Sequence, residues 1–222
     1  MEIIKFCRNY LLYLRQNKIN LSVKSIVNEI ERKVKYGRKG KILFASDFSS
    51  FGLPKAVNKA MERLTESGML IRLAQGIYFY PKIDTRLGLG VLYPTVETIA
   101  HEIAKRDKAR IVPTGAYALN VLGLSTQIPM NVVFLTDGAA RRISIGNGKG
   151  IVFKRTVPKN LAYKNELLML IVTALKEIGE KQVRPEHLNR ISELLKKESK
   201  EDVLVEIALA PAWIQKQIRA ML

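Results

Sequence analysis

Apolar residues recur at helical spacing through the front of the chain, and near residue 71 they switch to strand spacing. Ile3, Phe6, Cys7, Tyr10 and Leu14 share one face of a predicted amphipathic helix over residues 2–17, which Leu11 and Tyr13 widen. A second stripe, Val23, Ile26, Val27, Ile30 and Val34, predicts another helix, with Ser22 placed to cap its start and Gly37 to end it. The basic run "KVKYGRKGK" that follows is turn-rich and reads as solvated. "ILF" at 42–44 predicts a short strand, and Ser46-Asp47 a cap for a short helix through "FSSF" that Gly52 breaks. Pro54 suits the first turn of a further helix that runs to about Ser67 and stops at Gly68.

In that helix Val57, Ala60, Met61 and Leu64 face inward, while Lys55, Asn58, Lys59, Glu62 and Arg63 line the opposite side. The stretch "RLAQGIYFYP" at 72–81 then alternates as two strand arms. A three-residue loop, Ala74-Gln75-Gly76, sets Leu73 against Ile77 and Ile71 against Phe79, with Gly76 supplying positive φ and Pro81 ending the second arm. Helix, turn, helix and hairpin make a winged helix-turn-helix over residues 22–82. Its wing presents Gln75, with Arg72 and Tyr78 on the exposed face. The same pattern also suits a core hairpin of an α+β domain, because a fold does not fix a function.

"DTRLGLG" reads as a linker into a second domain, residues 83–222. There Thr95 precedes a helix with Val96, Ile99, Ala100, Ile103 and Ala104 inward, and "VPTGAYALNVLG" predicts a short helix from Thr114 to about Leu122. "MNVVFLTDG" and "RRISIGNGKGIVFKRT" alternate strand and turn signals, with turns at Asp137-Gly138 and Asn147-Gly148. Ile143, Ile145, Ile151 and Phe153 point inward in this reading, and Arg142, Ser144 and Lys154 outward. After Pro158 the pattern is helical to the end, giving an α+β fold overall.

Composition narrows the partners. Lys and Arg total 37 against 20 acidic residues, a net charge of +17, which favours polyanions: nucleic acid first, an anionic membrane surface second. The excess is concentrated in front, with 16 basic against 6 acidic residues up to position 82, 10 against 5 over 83–158, and 11 against 9 beyond. No stretch reaches the roughly 18 uncharged apolar residues of a membrane span, so no membrane partner is expected. The one cysteine, Cys7, leaves no internal disulfide, and the expected location is cytoplasmic.

Enzyme signals are weak. His101 and His187 lie in separate helical segments outside any ligand-spaced cluster, "GNGKG" at 146–150 lacks the strand-to-helix context of a phosphate loop, and Asp137 reads as a turn residue. No cofactor and no catalytic residue are expected. Trp213 reads as a helix anchor.

Three blocks carry a family resemblance: "FASDFSSFGLPKAVNKAMERLTESGMLIRLAQGIYFYPK", "IAKRDKARIVPTGAYALNVLGLSTQIPMNVVFLTDG" and "LAPAWI". Together they resemble the AbiEi-like antitoxins of type IV toxin-antitoxin systems, over roughly residues 22–218. The resemblance implies a winged helix with a second antitoxin domain, in a protein that represses its own operon. It also implies opposition to a nucleotidyltransferase-fold toxin, by direct contact or without it. Relatives usually carry arginine where Gln75 stands and a longer basic side chain where Asn58 stands. The helix at 1–21 lies outside the match.

The DNA-binding residues expected are Ser46, Lys55, Asn58, Lys59, Arg63, Arg72, Gln75, Gly76 and Tyr78. Lys55, Asn58, Lys59 and Arg63 enter the major groove in this reading, Asn58 being suited to an adenine edge and Arg63 to a guanine. The expected partner is double-stranded DNA at the chain's own promoter, with inverted repeats implying two copies side by side. Arg141, Arg142, Lys154 and Arg155 form a second basic surface. The alternative from another class is a protein-interaction module that binds the toxin through that surface.

Overall fold

Ile26, Ile30 and Val34 fall on one side of a helix, and residues 25–36 form helix α1 with those three buried. The computed structural model describes residues 25–127, 129–146 and 149–222. The expected helix at 2–17, the Ser22 cap and the Asn147-Gly148 turn lie outside the described residues. No helix among those described is long and apolar enough to cross a membrane.

The fold is α+β, and its chain divides into two compact units, one ending at Thr95 and the other running Val96–Leu222. In the front unit α1 is followed by β1 (Ile42–Phe44), a 3₁₀ helix (Ala45–Phe51), α2 (Pro54–Glu66), β2 (Ile71–Ala74) and β3 (Ile77–Phe79). The three strands form an antiparallel sheet in the order β1-β3-β2. Val57, Ala60, Met61 and Leu64 are the buried residues of α2, as its periodicity predicts, and pack with Ile30, Phe48 and Leu70. The approach of α1 is close: a Cβ on Gly52 would sit 2.8 Å from Ile26 Cδ1. Asp47, inside the 3₁₀ helix, caps it by accepting from Phe44 N at 2.9 Å; Ser46 is exposed in its first turn.

The hairpin differs from its expected register. Ile71 pairs with Phe79 and Arg72 with Tyr78, but Ala74 rather than Leu73 opposes Ile77, and an irregularity between Arg72 and Ala74 absorbs the extra residue. The turn therefore holds Gln75 and Gly76 alone, with Gly76 at φ 70°. Leu73 and Ala74 are consequently both buried.

Tyr78 is also placed differently: 4 % exposed, it belongs to the core between sheet and helices rather than to an outer face of the hairpin. The cause is topological. β3 is the central strand, so its successive side chains meet covered ground on both sides: Tyr78 joins the α1–α2 core, and Phe79 stacks on Tyr93 at 6.4 Å. "DTRLGLG" is no linker either. It closes a second hairpin, β4 (Ile83–Asp84) with β5 (Gly90–Val91), in which Asp84 Oδ1 accepts from Arg86 N at 2.8 Å and Leu87 N at 3.2 Å. Leu92 N reaches Lys82 O at 2.9 Å, which keeps this stretch with the front unit.

The second unit opens with α3 (Val96–Arg106), whose buried residues are Ile99, Ala100, Ile103 and Ala104. A four-stranded sheet follows in the order β6-β7-β9-β8, from β6 (Ile111–Pro113), β7 (Asn131–Thr136), β8 (Arg141–Ser144) and β9 (Gly150–Arg155). β7 and β9 are parallel; the other two pairings are antiparallel. Between β6 and β7 stands α4 (Gly115–Val121), packed so tightly that a Cβ on Gly115 would lie 2.2 Å from Glu177 Cβ. The helices α5 (Glu166–Ile178), α6 (Pro185–Leu195), α7 (Lys200–Glu206) and α8 (Ala212–Arg219) complete an apolar core against which Trp213 packs half-buried. Asn165 caps α5 through Leu168 N at 2.8 Å.

Candidate nucleic-acid interface

Pro54 at the first position of α2 and the positive φ of Gly68 (74°) just after it bound a helix of 13 residues. Burial of one side fixes the other toward solvent. Lys55, Asn58, Lys59 and Glu62 are exposed and Arg63 half-exposed. Lys59 Nζ donates to Glu62 Oε2 at 2.9 Å, with both side chains about half exposed. That hydrogen bond and the paired charges hold the Glu62 carboxyl below its ordinary value and raise the Lys59 ammonium.

Arg72, exposed on β2, adds to the positive field at Glu62, so the hairpin and the outer face of α2 act on a common carboxylate. Gln75 is exposed at the turn. Gly76 has open space around its missing Cβ, so glycine there answers to backbone conformation and not to packing. Gly76 O accepts from Ala45 N at 3.0 Å, which ties the turn to the residue next to Ser46. Burial raises the Tyr78 phenol, whose cross-strand neighbour is Arg72.

Of the nine expected DNA-contacting residues, then, Tyr78 alone is withdrawn into the core. Glu62, expected only to point outward, is the partner of Lys59, and its spacing of three residues is the sequence signal for that pair. Leu53, 78 % exposed immediately before Pro54, is an apolar group at the leading end of α2.

Of the second basic surface, Arg141 is tied down while Arg142, Lys154 and Arg155 are exposed. Arg141 makes an ion pair with Asp107, lies 5.5 Å over the Phe153 ring, and has its Nε buried without a hydrogen-bond partner. It is a packing residue and not a free surface cation. Arg142 donates to Asn131 Oδ1 at 2.9 Å and Arg155 Nε to Gly138 O at 3.3 Å; Lys154 remains exposed. Burial pushes the Asp107 carboxyl up, but hydrogen bonds and charge from Arg106 and Arg141 outweigh it and leave the group below its ordinary value. Asp137 does more than turn the chain, because it accepts from Arg110 N at 2.8 Å and Arg110 Nε at 2.9 Å.

The histidines find structural surroundings. His101 Nε2 lies 3.8 Å from Glu97 Oε1 and its ring meets Phe134 edge-on. His187 Nδ1 accepts from Arg184 N at 3.2 Å at the start of α6. Tyr117 donates to Glu97 Oε2 at 2.9 Å and its phenol is pushed up to about 12, by burial first and then by Glu97. Among the described residues no group of three or more His, Cys, Asp or Glu side chains could hold a metal ion.

No curated protein matches the sequence significantly. Among solved structures, the crystal structure of the RV2827C protein from Mycobacterium tuberculosis is similar with a TM-score of 0.46 at 14% identity, covering 90% of this chain and 76% of that one. The profile of DUF6088, a family of unknown function, matches residues 29–203, and the chain belongs to that family.

Proposed function

We propose that the front unit is a winged helix-turn-helix that binds double-stranded DNA, and that the chain is an autorepressing antitoxin of the AbiEi-like kind. The observation that carries this reading is the outer face of α2. Its 13 residues span about 20 Å, enough to lie along a major groove about 12 Å wide, and its exposed side carries Lys55, Asn58, Lys59 and Arg63. The order helix, strand, helix, helix, strand, strand supports it, as does a turn that presents Gln75 beside Arg72. The antitoxin part rests on the sequence resemblance, with a nucleotidyltransferase-fold toxin opposed directly or indirectly. Its setting is the cytoplasm.

Recognition of the duplex assigns Lys55 and Lys59 to phosphates, Asn58 and Arg63 to base edges, and Arg72, Gln75 and Ser46 to the backbone beside the turn. Engagement of Lys59 breaks its pair with Glu62. The toxin-docking alternative would use Arg142, Lys154 and Arg155, all exposed, with Arg141 beside them held by Asp107. Retardation of the chain's own upstream DNA, wild type against Lys59→Ala plus Arg63→Ala, is the test. Loss of retardation in the double variant is expected; equal retardation removes α2 from the interface.

A further inference from the structure

The run "KVKYGRKGK" at 33–41 leads from the last turn of α1 into β1. In it Tyr36 stands 88 % exposed, the most exposed large hydrophobic side chain among the described residues. The helix spends its apolar stripe, Ile26, Ile30 and Val34, on the core, and leaves Tyr36 outside it.

Cations gather at the same end of the sheet. Arg38, Lys39 and Lys41 follow the ring in the chain, and the fold brings Lys82 alongside them. Gly40 N reaches Tyr80 O at 2.7 Å, Tyr80 N reaches Lys41 O at 2.9 Å, and a Cβ on Gly40 would sit 3.7 Å from Lys82 Cβ. All four cations are exposed, and among the described residues none of them forms an ion pair. The Gln75–Gly76 turn belongs to the other end of the sheet, where Ala45 N reaches Gly76 O at 3.0 Å. At strand rise, the chain from Lys41 to Ala45 puts about 13 Å between the two ends.

These features select a partner. Unpaired cations complement phosphates, but an exposed ring gains little from a duplex, whose bases are stacked on one another. An unpaired base has a free face, and a ring set among free cations is the combination that holds single strands. An interfacial membrane anchor needs a broad apolar face beside its cations, and α1 has buried that face.

We propose that the turn between α1 and β1 is a second nucleic-acid contact, one that takes a short single strand. A base stacks on Tyr36, and the neighbouring phosphates meet Arg38, Lys39, Lys41 and Lys82. This contact does not rest on the meeting of α2 with a duplex.

Fluorescence anisotropy of the full chain at low salt tests it with labelled oligothymidylate and oligouridylate of about twelve nucleotides, and with an abasic strand of equal length. One of the two base-bearing strands is expected to bind with a Kd on the order of 10 μM, the tighter identifying the strand, and the abasic strand at least about tenfold more weakly. Tyr36→Ala is expected to lose about tenfold on the base-bearing strand and nothing on the abasic one. Arg38→Gln plus Lys82→Gln is expected to flatten the slope of log affinity against log salt by about 1.4, at about 0.7 for each phosphate of a single strand. Lys59→Ala plus Arg63→Ala is expected to stay within about twofold on the single strand, so failure here and failure of the duplex reading are separately visible. Equal affinity for the abasic strand, full affinity in Tyr36→Ala, or an equal loss in the α2 variant each overturns the proposal. So does a Kd above about 100 μM for both base-bearing strands, including the case in which the chain binds vesicles of phosphatidylcholine and phosphatidylserine instead. The substituted side chains are exposed, so circular dichroism should be unchanged; if a variant fails to fold, the comparison of strands on the wild type still decides.

Discussion

Two faces of this protein carry clustered cations, and they are built in opposite ways. On α2 the basic side chains project from a helix whose far side is the core, and the one short pair, Lys59 with Glu62, is exposed and easily exchanged. On β8 and β9 three of the four cations bond to their own unit, Arg141 to Asp107 and over Phe153, Arg142 to Asn131 and Arg155 to the Gly138 carbonyl, while Lys154 stays exposed. Lys55, Lys59 and Arg63 on α2 thus have one side-chain partner among them, whereas three of the four sheet cations each have a partner within their own unit. Net charge measures attraction at a distance, while the hydrogen bonds already made decide what is left for a partner.

That contrast breaks or sharpens in four experiments. The largest effect is expected from Lys59→Ala plus Arg63→Ala, which should weaken binding to the chain's own upstream duplex by about a hundredfold, read by fluorescence anisotropy. Next, Asp107→Asn should cost about 1 kcal/mol in urea unfolding at neutral pH, discounted for partial exposure, because it leaves Arg141 half-buried beside a neutral group. The pH dependence has a definite sign. The folded carboxyl sits below its ordinary 3.8, so its contribution is fully present above that value and is lost as pH falls through the lower folded value. Wild type and Asp107→Asn should therefore converge in stability in strong acid.

A smaller effect of opposite direction is expected from Glu62→Gln: Lys59 is released and a negative charge leaves the interface, so DNA affinity should rise about threefold at low salt. Smallest of all, Lys154→Ala plus Arg155→Ala should leave DNA affinity within about twofold, because every contact in the proposed reading comes from the front unit. A large loss in that variant makes the sheet face an equal partner and dissolves the contrast.

Much of the front unit was legible because its periodicities are strong. Val57, Ala60, Met61 and Leu64 at helical spacing, Pro54 before them and Gly68 after them place α2 within a residue. Tyr78 was not legible, because alternation says that two faces differ but not that both are covered; that depends on β1 pairing with β3 and making it central. Likewise Leu73 alternates as though it faced Ile77, and only the irregularity in β2 reveals the shorter turn. "DTRLGLG" has linker composition, yet Asp84 folds it by accepting two backbone N–H groups. In the candidate interface, residue types pointed to donors on α2, whereas the capture of Arg141 by Asp107 joins positions 34 residues apart that no local pattern connects.

The central claim is that the exposed lysines of α2, Lys55 and Lys59, meet phosphates. The most direct measurement is the slope of log affinity against log salt on the chain's own upstream duplex, for wild type and the two double variants. Affinity of the wild type should fall about a thousandfold between 50 and 200 mM salt if six phosphates are neutralised. The slope should shrink by about one in Lys59→Ala plus Arg63→Ala, since Lys59 meets a phosphate and Arg63 a base edge, and stay unchanged in Lys154→Ala plus Arg155→Ala. A flat wild-type slope, or one reduced by the sheet variant and untouched by the helix variant, contradicts the account.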